Sequence, residues 1–270
     1  METLQRNYED LSGPAAAQHE QQILTLGGIL ALLGGLGYFI TLLLHGDLPD
    51  QTTEIALNHI AGRPEWATLK LSLIVSIMLA VGGFTALASS LSHGASWLLA
   101  RMAAAVLLIG ASVVVVEYSI LGYEAKRIAD AWHTAAGSDR EHYQLIAEAL
   151  FGISGGLFVS FIAWLFGLPY LLMGLAIAFG RAYPAWMGWV AVAGGGGALL
   201  GGTMAFLRIE VVPMPALYGA FIAPLNLWLA AMGMFMWRRS RSVIERAATA
   251  IAPQIARASA TANQQARVPQ

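Results

Sequence analysis

Glu117 is the residue of this 270-residue chain whose setting most needs an explanation. It follows Val113-Val114-Val115-Val116 inside the otherwise apolar run Met102–Gly122. A carboxylate so placed costs about 2.5–3.5 kcal/mol on insertion scales unless it is paired or hydrated, so it is a site candidate by default. Lys70, Arg208 and Glu210 fall at a similar depth at the ends of neighbouring runs, and His45 and Glu148 belong to the same layer. One expectation is a polar vestibule on the outer side, centred on Glu117 and closed by Lys70 or Arg208. The plainer and heavier expectation is that Glu117 snorkels to the interface or makes one structural ion pair.

Asn226 is the second candidate. It lies just after Pro224, near the middle of the last apolar run. The proline frees a backbone carbonyl that the amide can bond, or the amide can bridge to another helix, so structural glue is expected. Gly194-Gly195-Gly196-Gly197 with Gly201-Gly202, and the pair Gly152 and Gly156, offer small faces for close helix packing; a flexible gate is the functional alternative.

Cofactor chemistry finds little to hold it. His19, His45, His59, His93, His133 and His142 all fall in loops, tails or at span ends, so a haem between helices lacks axial ligands. No His-x-x-x-His or Glu-x-x-His spacing occurs, and cysteine is absent, which removes thiolate zinc sites, Fe–S clusters and disulfides. His59, His133 and His142 are the remaining route to a surface metal site. No cofactor is expected.

The elements that carry these residues follow from composition. The chain is 57% apolar and 11% charged with a net charge of −1, far from a soluble average and without the basic field that recruits nucleic acid. Crossing a bilayer takes about 20 apolar residues, and six runs qualify: 23–44, 71–92, 102–122, 149–180, 186–207 and 215–237. The expected fold is all-α, a polytopic membrane bundle of six transmembrane helices, with Pro169 kinking the fourth. Residues 1–20 form a polar tail, 21–240 the membrane domain and 241–270 a second tail. The first run is kept as a span, because Glu2, Glu9, Asp10 and Glu20 precede it where a signal peptide is basic.

Termini inside leaves nine Lys and Arg on the inner side against six outside, with Arg238, Arg239 and Arg241 directly against the last span. Trp66, Trp97, Trp186 and Trp237 sit at span ends, at headgroup depth. Two outer loops carry short helices. Thr52–Gly62 is capped by Thr52 or Thr53 and stopped by Gly62 and Pro64, while Glu124, Lys126, Arg127 and Asp130 extend the third span outward to a turn near Gly137-Ser138. Ile244, Ala247, Ile251 and Ile255 mark a basic amphipathic helix on the inner lipid surface. Pro64-Glu65-Trp66 and Pro184-Ala185-Trp186, with Gly34-Gly35-Leu36 and Gly155-Gly156-Leu157, hint at an inverted repeat.

The segment Phe166-Gly167-Leu168-Pro169-Tyr170-Leu171-Leu172-Met173-Gly174-Leu175, followed by Tyr183-Pro184-Ala185-Trp186-Met187-Gly188-Trp189 and a glycine-rich helix, resembles uncharacterised bacterial six-helix integral membrane proteins grouped as a domain of unknown function. The resemblance spans roughly residues 20–240. It implies a bacterial cytoplasmic membrane and six spans, and carries no activity or site residue across.

Three functions follow in order of weight. The first is a non-enzymatic accessory or assembly partner in the lipid bilayer, meeting another membrane protein or a second copy through small-residue faces. The second is a small-solute or proton-coupled transporter with its polar site around Glu117. The third is a membrane enzyme for a hydrophobic substrate.

Overall fold

A computed structural model describes residues 14–45, 52–209, 216 and 218–243. Seven helices carry the described chain: α1 Pro14–His45, α2 Thr53–Ala61, α3 Trp66–Ser89, α4 Gly94–Thr134, α5 Ser138–Ala178, α6 Ala185–Phe206 and α7 Gly219–Val243. All but α2 are long and apolar enough to span a membrane, so the chain is an all-α bundle of six such helices. Leu26, Ile29, Leu33, Leu36, Ile40 and Leu43 repeat at helical spacing along α1 and stay exposed, as a face turned to lipid does. Serines on such faces satisfy themselves: Ser72, Ser112, Ser119 and Ser160 each donate to the carbonyl four residues back.

The third and fourth expected spans are much shorter than the helices that carry them, while the expected ends at 92, 180 and 207 lie one to three residues past the helix ends. α4 and α5 run 41 residues each, because no glycine or proline interrupts the helix from Tyr123 to Thr134 or from Ser138 to the start of the expected fourth span. Gly137 takes φ +58°, a conformation glycine adopts without penalty, and reverses the chain there. The projecting parts of α4 and α5, with α2 laid against them, form a cap over one end of the bundle. Lys126–Asp130 (2.6 Å) and Arg127–Glu124 (2.9 Å) line its solvent side as the charge spacing predicts. Thr52 caps α2 by accepting from the Ile55 amide, and Gly62 ends it.

Two wide, π-helical turns precede prolines. Ile162–Gly167 lies just before Pro169, and Tyr218–Ile222 just before Pro224. A proline offers no N–H to the carbonyl four residues back, so the hydrogen bonds slip by one residue and the helix continues. Pro169, expected to kink the fourth span, follows a wide turn through which the helix continues. A third such turn, Ile120–Glu124, lies in α4 one turn beyond Glu117.

Small residues set the tightest crossings. A Cβ at Gly34 would strike the Ala80 backbone, and one at Gly83 the backbone of Ala31, so α1 and α3 meet almost main chain to main chain. In the glycine run of α6, Gly195 meets the Leu171 backbone and Gly202 that of Ala163, Gly194 and Gly197 face the Leu225 and Phe221 side chains, and Gly196 is open. Gly152, Gly155 and Gly156 on α5 face open space instead. The sequence matches that hint at a repeat sit in unlike settings: Trp66 is fully buried and Trp186 is 60% exposed, while Gly34 is packed and Gly155 open.

Candidate functional site

Two separate apolar cores fill the described residues. The cap core gathers Leu57, Ile60, Trp66, Leu121, Ile128 and Trp132; the bundle core begins with Leu73, Val114, Tyr118 and Phe161 and runs to the other end. Lys70 lies between Trp66 and Leu73 on α3, Glu117 between Val114 and Leu121 on α4, and Ser154 between Phe151 and Phe158 on α5. A polar layer therefore occupies the seam, with apolar packing on both sides of it.

Within that layer Glu117 is 0% and Lys70 4% exposed. Ser154 donates its hydroxyl to Glu117 Oε1 at 3.0 Å, and Oε2 is buried with no hydrogen-bond partner. The Lys70 ammonium rests on rings, 5.1 Å from the Trp66 centroid and 4.8 Å from that of Tyr118. Such contacts are worth about 2 kcal/mol when desolvated. The ion pairs of the described residues are Arg63–Glu65, Lys126–Asp130, Arg127–Glu124 and Arg239–Glu20; Lys70–Glu117 is not among them, although each lies in the other's field.

The layer is closed, which corrects the expected vestibule. Trp66 roofs it, donating its indole N–H to the Leu121 carbonyl at 2.7 Å. That carbonyl belongs to the wide turn of α4, where the helix ladder is already loosened. His45 and His59 pack on the same indole at 4.7 and 6.1 Å, and Arg63 reaches across to the His45 carbonyl. Burial, and then the Arg63 cation, holds the His59 imidazole below its ordinary range. Glu117 does not snorkel, because the cap covers the direction in which it would reach.

The remaining candidates divide. His45 joins the roof; Arg208 does not join the site, lying exposed beyond α6 with φ +59°. Glu210 falls outside the described residues, as do the amphipathic stretch from Ile244 and the first polar tail. Asn226 sits apart from Glu117. Its amide donates to the Ile222 carbonyl, four residues back in its own helix, at 2.8 Å, not to the Ala220 carbonyl that lies four residues before Pro224, and it lines a cavity of about 20 Å³ with Tyr170, Phe84 and Phe166. His59, His133 and His142 do not converge, and among the described residues no three His, Asp or Glu side chains gather as metal ligands. Trp97 and Trp186 are exposed in the first turns of α4 and α6, and Trp237 is exposed six residues before Val243; Trp66 is buried instead.

The opposite end is tied by another cluster. Arg239 bonds Glu20 at 2.8 Å and the Ser90 carbonyl at 3.3 Å, and lies over the Tyr183 ring, whose hydroxyl meets Ser90 Oγ at 2.8 Å. Burial pushes the Tyr183 phenol upward, with the Ser90 bond pulling the other way. Ser154, Tyr118 and Tyr38 were not singled out in the sequence, and Trp66 was read there only as a span-end anchor. Only Tyr118 carried a signal, its place beside Glu117. Comparison with family models, curated proteins and solved structures gives no match.

Proposed function

We propose that this protein carries protons across a membrane, alone or coupled to a solute, with Glu117 as the group that takes and releases the proton. One observation carries the reading: a fully enclosed carboxylate with one oxygen unpartnered, beside an ammonium held by aromatic rings instead of by that carboxylate. A structural ion pair would close, since separated charges in a dry interior leave a desolvation penalty uncompensated. A carboxyl that alternates between two protonation states must keep an oxygen free and its counter-charge at arm's length. The cavity beside Asn226 has room for about one water, which suits a proton better than an organic solute.

The test is proton flux in proteoliposomes under an imposed pH gradient. Glu117→Gln is expected to abolish flux while yield and melting stay at wild-type values. Wild-type flux in that variant, or parallel loss of folded protein, would remove the proposal.

A second reading, as accessory subunit or homo-oligomer, draws on the open face of Gly152, Gly155 and Gly156, which lacks the intramolecular neighbours that the packed glycines of α1, α3 and α6 have. The setting that fits both is a bacterial cytoplasmic membrane with the cap outside and the termini inside, supported by the basic residues after α7.

A further inference from the structure

We infer that Tyr118 and Tyr38 form a relay that passes protons between the Glu117 layer and a water held at Tyr170 and Asn226; this rests on the reading of Glu117 as a proton carrier. The two hydroxyls meet at 2.7 Å deep in the bundle, and either oxygen can be the donor. Tyr118 is 3% exposed, and its ring carries the Lys70 ammonium on the side of the polar layer. Tyr38 is fully buried, and its ring lies 5.6 Å from Phe166, which stacks on Tyr170 at 6.2 Å. Phe166 and Tyr170 are both walls of the small cavity.

That cavity has the size of one water, and a buried water needs two to four polar partners. Most of its walls are apolar, Ile77, Leu107 and Leu229 among them, so Tyr170 and Asn226 supply the polar groups. The Asn226 amide nitrogen is committed to Ile222, which leaves its carbonyl oxygen as acceptor. On α3, Lys70 precedes Ile77 by seven residues and Ala80 by ten, so the cavity lies about 10–15 Å from the polar layer along the bundle. Tyr118 borders the polar layer through Lys70, and Tyr38 borders the cavity wall through Phe166. A turn of the Tyr38 hydroxyl, or one transient water, spans the remaining gap.

The net step moves one proton from the Glu117 carboxyl to the cavity water, leaving a carboxylate in the field of the Lys70 ammonium and a hydronium beside the Asn226 carbonyl oxygen. A proton leaving Glu117 Oε2, which has no hydrogen-bond partner, crosses one transient water to the Tyr118 oxygen while the Tyr118 proton passes to Tyr38, and Tyr38 gives its own to the cavity water. Each hydroxyl gains one proton and loses one, so neither phenol becomes charged. A hydroxyl pair that can reverse donor and acceptor serves both directions of transfer, and a pair needed only for packing would be replaced by phenylalanine without consequence for flux.

The test compares wild type, Glu117→Gln, Tyr38→Phe and Tyr118→Phe in proteoliposomes, reading proton flux and the infrared carbonyl band of a protonated carboxyl. Tyr38→Phe is expected to slow flux on the order of a hundredfold, the low end for a positioned proton-transfer group, while the band that Glu117→Gln removes still titrates as in wild type. Wild-type flux in both phenylalanine variants overturns the relay and leaves Glu117 standing. If both variants lose their melting transition, the pair is structural and the relay is likewise overturned. A wild type with neither flux nor a Glu117-dependent band places the failure in the Glu117 reading, and the relay falls with it.

Discussion

At the scale of residues, Trp66 and Glu117 show what spacing discloses and what it hides. Glu117 stands out because its type contradicts its neighbours, and no fold is needed to see that. Trp66 is typical of a span end, and a headgroup anchor is the ordinary inference; only the packing of α2 against the projecting parts of α4 and α5, with Trp66 in their shared core, turns it into a roof. Ser154 is a small polar residue among glycines, and its bond to Glu117 joins residues 37 apart, a pairing that periodicity does not encode. His59 carries a prediction of its own. Its imidazole is held below its usual value of 6.5, first by burial and then by Arg63, so the closed cap favours the neutral ring. An opened cap lets the ring protonate normally, so cap stability is intact above about pH 6.5 and declines as pH falls from there toward the lowered value. Amide protection in Thr53–Ala61 is expected to drop below that pH in wild type and to stay level in His59→Gln. A level profile in both would show that this ring does not govern the cap.

At the scale of elements, existence is legible and extent is not. Six apolar runs identify six spanning helices, yet α4 and α5 outrun theirs because the helical charge pairs of the cap continue the same helix past the hydrocarbon. Glycine content likewise announces close packing without saying which faces meet. The structure separates them: Gly34 and Gly83 are filled by a neighbouring helix, and Gly156 is open. Gly34→Leu is therefore expected to abolish folded protein in detergent, since overpacking of even a well-formed core costs about 1–3 kcal/mol and here the obstacle is backbone. Gly156→Leu is expected to leave the melting temperature of the monomer unchanged, by thermal scanning of the purified chain. Altered oligomeric mass in that variant would mark the face as an interface.

At the scale of the molecule, the polar layer is enclosed at one end by the cap and at the other by the bundle core and the Arg239 cluster, an enclosure that no local pattern announces because it joins α1, α3, α5 and α7 through contacts far apart in sequence. The sidedness of that arrangement is open to direct measurement, since the chain has no cysteine and Ser138 is exposed at the tip of the cap. Ser138→Cys in intact cells is expected to react with a membrane-impermeant maleimide added from outside; labelling only after lysis would invert the topology. Each wide turn also has a mechanical side. A π turn holds one residue more than the α-helical turn it replaces, and moving that surplus along the helix by one position rotates the intervening segment by about 100° without unwinding either flank. α4 and α5 each consist of two shafts joined by such a slip coupling, placed one turn from Glu117 in the first and two turns from Ser154 in the second. Torque applied to the cap would then be spent at these couplings, swivelling the carboxylate and its hydroxyl donor past one another while the rest of the bundle stays still.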